Sequence, residues 1–222
     1  MTIYVGYDQR EDVAYQVVKS SIERLSNRKV TPLVQSKLRN DGIYTRSVDI
    51  LSSTEFSFTR FLTPYLNEYS GWALFIDCDT LFIESPDSLF SLADDRYAVM
   101  CVKHNYIPEK MIKMDGKIQH LYPRKNWSSV MLFNCSHPSN KNLTLDVVNK
   151  ESGSYLHQMK WLSDDEIGEL PVEWNWLVGW YKEPLDGNPK LLHYTEGGPW
   201  FLNYKKCEYA ELWMEEFHKL KT

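Results

Sequence analysis

The chain has 222 residues, of which 43% are hydrophobic and 14% aromatic, and its 25 Lys and Arg against 30 Asp and Glu give a formal net charge of −5. A chain of this length and composition buries enough surface to fold without a disulfide or metal staple, which excludes a disordered protein. The acidic balance argues against a general nucleic-acid binder, which would present a basic surface. Because there is neither an apolar run of the roughly 18 residues that span a bilayer nor a secretory signal pattern, we expect a cytoplasmic protein.

Strand-like and helix-like segments alternate along the first hundred residues. Short runs rich in β-branched and aromatic residues predict strands at 3–8, 31–38, 73–76, 97–102, 130–134 and 190–194. Apolar residues at helical spacing predict helices at 13–25, 56–66 and 205–220, and the polar segment 39–54 predicts a long loop. Ser85-Pro86-Asp87 has the cap, first-turn proline and early acid that begin a helix, here at 86 to about 92. This alternation predicts an α/β domain with a mainly parallel central sheet and helices on both faces.

The cysteines are predicted to be reduced core thiols. There is no Cys-x-x-Cys pair, and Cys78, Cys101 and Cys135 lie in apolar runs, while Cys207 lies far from them. A thiol in such a run behaves as a small hydrophobic group, so zinc ligation and disulfide pairing are the weaker interpretations.

Two carboxylates follow the predicted strand 73–76, in the sequence Asp77-Cys78-Asp79. A spacing of two residues puts both side chains on one side of an extended segment, where like charges repel unless a cation lies between them. A simple polar turn is the alternative, because Asp is common in turns. The apolar residues that resume at 81–83 favour a metal site.

A histidine, His193, lies near the end of the last predicted strand and is followed by Gly197 and Gly198. An imidazole can ligate a metal, and glycine amides can approach a phosphate closely. A half-buried histidine before an ordinary turn is the alternative. Two carboxylates with one imidazole favour Mn²⁺ or Mg²⁺ over zinc, and a diphosphate would fill the open coordination positions.

Four segments together resemble the GT-A glycosyltransferases of glycosyltransferase family 8. They are Val-Gly-Tyr-Asp at 5–8, Phe-Ser-Phe-Thr-Arg-Phe-Leu at 56–62, Asp-Cys-Asp at 77–79, and His193 with Gly-Gly-Pro-Trp at 197–200. The resemblance spans nearly the whole chain and implies a single GT-A domain with a Rossmann-like sheet, a donor-binding half at about 1–104 and an acceptor-side half at about 105–222. It also implies transfer of a hexose from a UDP-sugar to an acceptor hydroxyl, with Mn²⁺ (or Mg²⁺) and with retention of anomeric configuration.

The resemblance implies roles for the donor-side residues. Asp77, Asp79 and His193 match metal ligands, and Asp77 also matches a residue that reaches the ribose. Tyr7 and Asp8 match positions that hold the nucleobase. The other matches to the nucleotide-sugar site are Arg60, Cys78, Gly197, Gly198 and Trp200. For Arg60 the alternative is a surface side chain that lies along an amphipathic helix.

The acceptor side and the reacting centre depart from the family pattern. Trp127, Ser128 and Ser129 occupy the start of the family's acceptor-contacting strand in place of its usual Asn-x-Gly, and a plain core strand is the alternative. Asp164 and Asp165 match the family's Asp-Gln-Asp segment, with Asp165 at the glutamine position. A carboxylate there would act as a nucleophile or stabilise an oxocarbenium-like centre, so both residues are predicted to be catalytic. A solvated helix start is the alternative.

Two other functions stay open on the sequence. A metal-dependent nucleotidyltransferase or nucleotide-sugar hydrolase would use the same Asp pair on a similar sheet. A non-catalytic carbohydrate-binding domain would use aromatic side chains and would need no metal.

For the expected transferase the partners are a nucleotide-sugar donor and a glycan or other hydroxyl acceptor, with no nucleic acid. The lysines and arginines of the loop 105–126 leave contact with a membrane surface or an anionic acceptor open, although a solvated loop also explains them.

Overall fold

A computed structural model describes residues 1–47, 54–105, 123–183 and 187–220. Within these ranges the β-strands are β1 Thr2–Gly6, β2 Lys29–Leu33, β3 Trp72–Ile76, β4 Thr80–Phe82, β5 Val99–Cys101, β6 Val130–Asn134, β7 Ile167–Glu169, β8 Trp176–Leu177 and β9 Leu191–His193. The α-helices are α1 Asp12–Leu25, α2 Gln35–Asn40, α3 Thr63–Leu66, α4 Pro86–Phe90, α5 Leu145–Lys150, α6 Gly153–His157 and α7 Ala210–Lys219. None of these helices is long and apolar enough to cross a bilayer.

Six of the described strands form the central sheet, in the order β2-β1-β3-β6-β5-β7. β1 pairs in parallel with β2 and β3, and β5 pairs in parallel with β7, whereas β6 is antiparallel to both of its neighbours. Five of the six strands therefore point the same way, which confirms the predicted mainly parallel sheet. The carboxyl ends of β1, β3, β5 and β7 lie at one edge, which we call the carboxyl edge.

Helices cover both faces of this sheet, as predicted. The chain passes from β1 to β2 through α1, and from β2 to the far side of β1 through α2 and α3. Right-handed crossovers in opposite directions place their helices on opposite faces. Accordingly α1 packs against β4 and α7, whereas α3 packs against β3 and β6.

The strands at the centre of the sheet are buried on both sides. All five residues of β3 and of β6 are buried, which explains their continuous apolar sequences. Cys78, Cys101 and Cys135 are buried free thiols in this core, as predicted. Burial raises the pKa of Cys101 and of Cys135 to about 12, so neither ionises at neutral pH.

Several predicted elements end at other residues. The predicted strand 31–38 stops at Leu33, and the chain continues as α2 instead of as a strand. The predicted helix 56–66 is a 3₁₀ turn at Thr59–Leu62 followed by α3, because Pro64 has no N–H for a helical bond to residue 60. The predicted C-terminal helix begins only at Ala210, after Tyr209 with a left-handed φ of 57°. Of the predicted loop 39–54, residues 48–53 lie outside the described residues.

A second, three-stranded sheet in the order β4-β9-β8 was not predicted. β4 is antiparallel to β9, with Thr80 opposite His193, and β8 is parallel to β9. Since β4 begins directly after Asp79, this pairing brings the end of β9 to the carboxyl edge of the central sheet.

Candidate metal and nucleotide site

Asp77, Asp79 and His193 converge at the carboxyl edge. One ligand atom from each lies within 4.8 Å of the others. Asp77 directly follows β3, and the pairing of β4 with β9 places His193 beside Asp79. The backbone amide of Tyr194 donates to the carbonyl of Asp79 at 2.9 Å, which fixes this approach. The structure thus brings together the three residues that the sequence predicts as metal ligands.

The donor set fits a hard divalent cation. Asp79 Oδ1 is buried, accepts no hydrogen bond from the described residues, and lies 3.4 Å from His193 Nε2. His193 itself is 2% exposed, so little water reaches this pair. A cation among these atoms would balance the carboxylates, and two oxygens with one imidazole nitrogen suit Mn²⁺ or Mg²⁺.

Glu11 adds a third acid to this edge. It lies in the 3₁₀ turn Gln9–Glu11 that follows β1. Burial, with the negative charges of Asp79, Asp8 and Asp77, raises the pKa of Glu11 to about 8. Crowded acids of this kind favour a bound cation. Glu11 was not predicted from the sequence, because it lies in a short polar loop without a recognisable spacing.

Arg60 is a buried cation beside Asp77. Its Nη1 lies 3.0 Å from Asp77 Oδ1 and donates to the carbonyl of Ser128 at 2.7 Å. The guanidinium lies over the rings of Phe56 and Phe75, 5.3 and 5.1 Å from their centroids. Because Arg60 is only 6% exposed, the alternative of a surface arginine is wrong.

Protein CDI from Arabidopsis thaliana is 52% identical to this chain over 226 residues, a match that covers 98% of this chain and 87% of the relative. The chain belongs to the Protein CDI family. No model of a known protein family matches it.

Solved glycosyltransferases share the fold of this Protein CDI family member. The bifunctional glycosyltransferase WbbM matches with a TM-score of 0.67 and 16% identity, over 98% of this chain and 49% of WbbM. GlyE of Streptococcus pneumoniae matches with a TM-score of 0.65 and 16% identity, over 97% of this chain and 59% of GlyE. The galactosyltransferase LgtC, solved with donor and acceptor sugar analogues, matches with a TM-score of 0.63 and 13% identity, over 100% of this chain and 97% of LgtC.

These likenesses show a GT-A type fold for the Protein CDI family chain, which confirms the predicted fold class. The chain spans about half the length of WbbM and somewhat more of GlyE. At such identities the shared property is the fold, and the chemistry depends on the residues of the site itself.

The two residues predicted to hold the nucleobase differ in accessibility in this Protein CDI family member. Tyr7 is half-buried, and its hydroxyl donates to Asp12 Oδ1 at 2.9 Å. Asp8 is fully buried and accepts hydrogen bonds from Arg10 and from the backbone amide of Glu55. Burial opposes ionisation of Asp8, but these hydrogen bonds keep its pKa below the ordinary value. A base could stack on Tyr7, whereas Asp8 mainly holds the loop in place; both nucleobase roles stay predictions.

The glycine turn after His193 is shaped by Trp200. Gly197 has a φ of 126°, which only glycine adopts easily. A Cβ on Gly198 would lie 1.9 Å from the ring of Trp200, and this ring packs against Trp213 at 5.4 Å between centroids. The glycine at 198 is therefore required by packing, and contacts of this turn with a donor stay predictions.

Cys78, also predicted at the donor site, is fully buried, which raises the pKa of its thiol well above the ordinary value.

The predicted acceptor residues of the Protein CDI family chain already have partners within the protein. The indole of Trp127 donates to the carbonyl of His104 at 3.0 Å. Ser128 Oγ lies 2.9 Å from His157 Nδ1, and Ser129 Oγ donates to the carbonyl of Asn126 at 2.6 Å. Ser128 and Ser129 are 4% and 3% exposed, so their hydroxyls support the site from inside. Acceptor binding by these three residues stays a prediction.

Asp164 and Asp165 lie apart from the predicted metal ligands. They begin the 3₁₀ turn Asp164–Glu166 at the amino end of β7. Because β7 points the same way as β3, this end lies at the edge opposite the carboxyl edge. Both side chains are exposed, and Asp164 pairs with Arg124. The structure therefore does not bring either carboxylate to the site, and a catalytic role, which rests on the resemblance alone, stays a prediction.

Asn175 is a site residue that the sequence analysis missed. It is fully buried, and its Oδ1 lies 2.9 Å from His193 Nδ1. Asn175 stands between Trp174 and Trp176, in an aromatic segment that reads as core rather than as a polar motif. Only the packing of this segment against β9 reveals its contact with the histidine.

Proposed function

We propose that this chain is a metal-dependent glycosyltransferase that moves a hexose from a UDP-sugar to an acceptor hydroxyl. Asp77, Asp79 and His193 would hold Mn²⁺ (or Mg²⁺). The observation that supports this most is the convergence of these three side chains at the carboxyl edge of a fold shared with glycosyltransferases. Ligands of open α/β sheets bind beyond the carboxyl ends of the strands, which is where this cluster lies.

The surroundings of the cluster suit a diphosphate leaving group. A bound divalent cation would stabilise the negative charge that develops on the leaving phosphate. Arg60 Nη1 lies 3.0 Å from Asp77 Oδ1, so the ion pair orients this carboxylate before any donor binds. Burial of His193 and Arg60 excludes water and strengthens their electrostatic interactions. The half-buried ring of Tyr7 offers a stacking surface for a base. Retention of configuration is proposed from the family 8 resemblance.

Calorimetric titration with UDP tests the donor site. We expect EDTA-treated protein to bind UDP only after Mn²⁺ is added, and Asp79→Asn to abolish this binding. Asp146→Asn is the matched control, because the Asp146 carboxylate is 69% exposed and pairs with Lys150 on the surface. UDP binding that is equal with and without Mn²⁺, or that survives in Asp79→Asn, would contradict the proposal.

Product analysis tests the reaction. Incubation with UDP-glucose or UDP-galactose and candidate acceptors is expected to release UDP and to form a glycoside whose anomeric configuration matches that of the donor. Release or consumption of pyrophosphate would instead indicate nucleotidyl transfer. Metal-independent binding of glycans without turnover would indicate a carbohydrate-binding domain. The cytoplasmic location inferred from the sequence, and contact with a membrane surface, stay predictions.

A further inference from the structure

A buried chain of hydrogen bonds lies behind the metal ligands. His193 Nδ1 is 2.9 Å from Asn175 Oδ1, and Asn175 Nδ2 donates to Ser129 Oγ at 3.0 Å and to the carbonyl of Asn126 at 3.3 Å. Asn175 is fully buried, and His193 and Ser129 are 2% and 3% exposed. Water therefore does not compete for these bonds, and each donor must meet an acceptor inside the protein.

The direction of these bonds follows from one atom that can only accept. The carbonyl oxygen of Asn126 has no proton, and it already accepts the hydroxyl proton of Ser129 at 2.6 Å. The amide of Asn175 must therefore point its nitrogen toward Asn126 and Ser129, because a flipped amide would set two oxygens against each other. Its oxygen then faces His193, so the proton of a neutral imidazole is on Nδ1.

We propose that Asn175 is a positioning residue that holds His193 in the tautomer with hydrogen on Nδ1. Nε2, 3.4 Å from Asp79 Oδ1, then presents its lone pair to a divalent cation. Ser129 also contacts a second proposed ligand, because its carbonyl accepts from the backbone amide of Asp77 at 2.9 Å. Ser129 thus links the histidine side and the carboxylate side of the site. The role of the cation rests on the proposed function, whereas the tautomer of His193 does not.

Loss of the Asn175 side chain should weaken metal binding without removing a ligand. In Asn175→Leu, Nδ1 loses its acceptor, so the imidazole is free to carry its hydrogen on Nε2, where it would point at the metal position. Removal of a partner that orients a metal ligand typically lowers metal affinity by about 10–100-fold. Asn140→Leu is the matched control, since Asn140 is equally buried but donates to the carbonyls of Ala98 and Asn134.

The test combines ¹⁵N NMR of the histidine rings with Mn²⁺ titration. Spectra of EDTA-treated protein report which ring nitrogen carries the hydrogen, and His193→Gln assigns the signal. We expect hydrogen on Nδ1 in the wild type and in Asn140→Leu, and a shift toward Nε2 with weaker Mn²⁺ binding in Asn175→Leu. Ser129→Ala removes one acceptor of the amide but leaves the carbonyl of Asn126, so it should keep hydrogen on Nδ1 and should weaken Mn²⁺ binding less than Asn175→Leu does.

Hydrogen on Nε2 in the wild type would overturn the inference. An unchanged tautomer and unchanged Mn²⁺ affinity in Asn175→Leu would do so as well. Should Asn175→Leu fail to fold, Asn175→Ala decides by the same two readouts, and wild-type values in that variant count against the inference. If the wild type binds no Mn²⁺, the proposed function fails while the NMR arm still decides the tautomer, so the two failures are distinguishable.

Discussion

The buried pair of Arg60 and Asp77 allows a quantitative test of how the acidic edge is balanced. The two charged groups lie 3.0 Å apart, and their side chains are 7% and 13% exposed. Arg60→Met removes the positive charge but keeps most of the volume, so Asp77 is left buried near Asp79. Removing one partner of a buried pair costs about 3–5 kcal/mol of unfolding free energy. At roughly 2–4 °C per kcal/mol for a domain of this size, Tm should fall by roughly 6–20 °C.

Thermal melting in EDTA and then in Mn²⁺ is the assay. A cation at the site replaces the lost positive charge, so Mn²⁺ should bind Arg60→Met more tightly than the wild type. With Mn²⁺ in excess, the deficit should then shrink by about 1.4 kcal/mol for each tenfold difference in Kd. Arg96→Met is the control, because Arg96 and Asp94 are 77% and 32% exposed and such pairs contribute at most about 1 kcal/mol. A variant Arg60→Met that melts in EDTA within about 2 °C of the wild type would refute the reasoning.

Three further predictions concern His104, Gly198 and Asp165. Burial, and secondarily the charge of His193, lowers the pKa of His104 to about 3. Between about pH 6.5 and pH 3 the unfolded chain therefore binds one more proton at this residue than the folded chain, so the unfolding free energy falls by roughly 1.4 kcal/mol per pH unit as pH falls. His104→Gln should remove this contribution to the slope, as urea titrations across the window will show. Gly198→Ala should lower the unfolding free energy by about 1–3 kcal/mol, because the new Cβ meets the ring of Trp200. In a Trp200→Leu background the same substitution should cost much less, as denaturant midpoints of the four chains will show. Asp165→Asn should keep UDP-sugar turnover near the wild-type value, since its exposed side chain lies at the far edge of the sheet; a large loss of turnover would instead support the catalytic role that the resemblance implies.

Properties that depend on neighbours in the chain were predictable from the sequence. The apolar run before Asp77 predicted β3, since a strand covered on both faces needs apolar residues at every position. The helical spacing in 13–25 predicted α1 to within one residue. The Ser85-Pro86-Asp87 pattern predicted the start of α4, where Ser85 accepts from the amide of Asp87. The acidic pair at the end of β3 was also predictable, because the spacing of Asp77 and Asp79 and their place after a strand are local features. The role of these residues as metal ligands stays a prediction.

Long-range pairing decided the rest. The sequence predicted a strand at 190–194, where β9 lies, but it did not predict the two-residue strand β8 or the pairing of β9 with β4 that carries His193 to Asp79. The roles of Glu11 and Asn175 come from burial against distant residues, and the sequence around each shows only a polar turn or an aromatic segment.

The position of Asp165 shows the same limit from the other side. Its neighbours in sequence resemble a catalytic segment, but strand direction sets which edge of a sheet a residue occupies. β7 begins at the edge opposite Asp77, Asp79 and His193. Composition and periodicity thus determined the layers and the acidic strand end, because both reflect local burial. Which polar groups meet was decided by strand order and direction, because these depend on contacts between residues far apart in the chain.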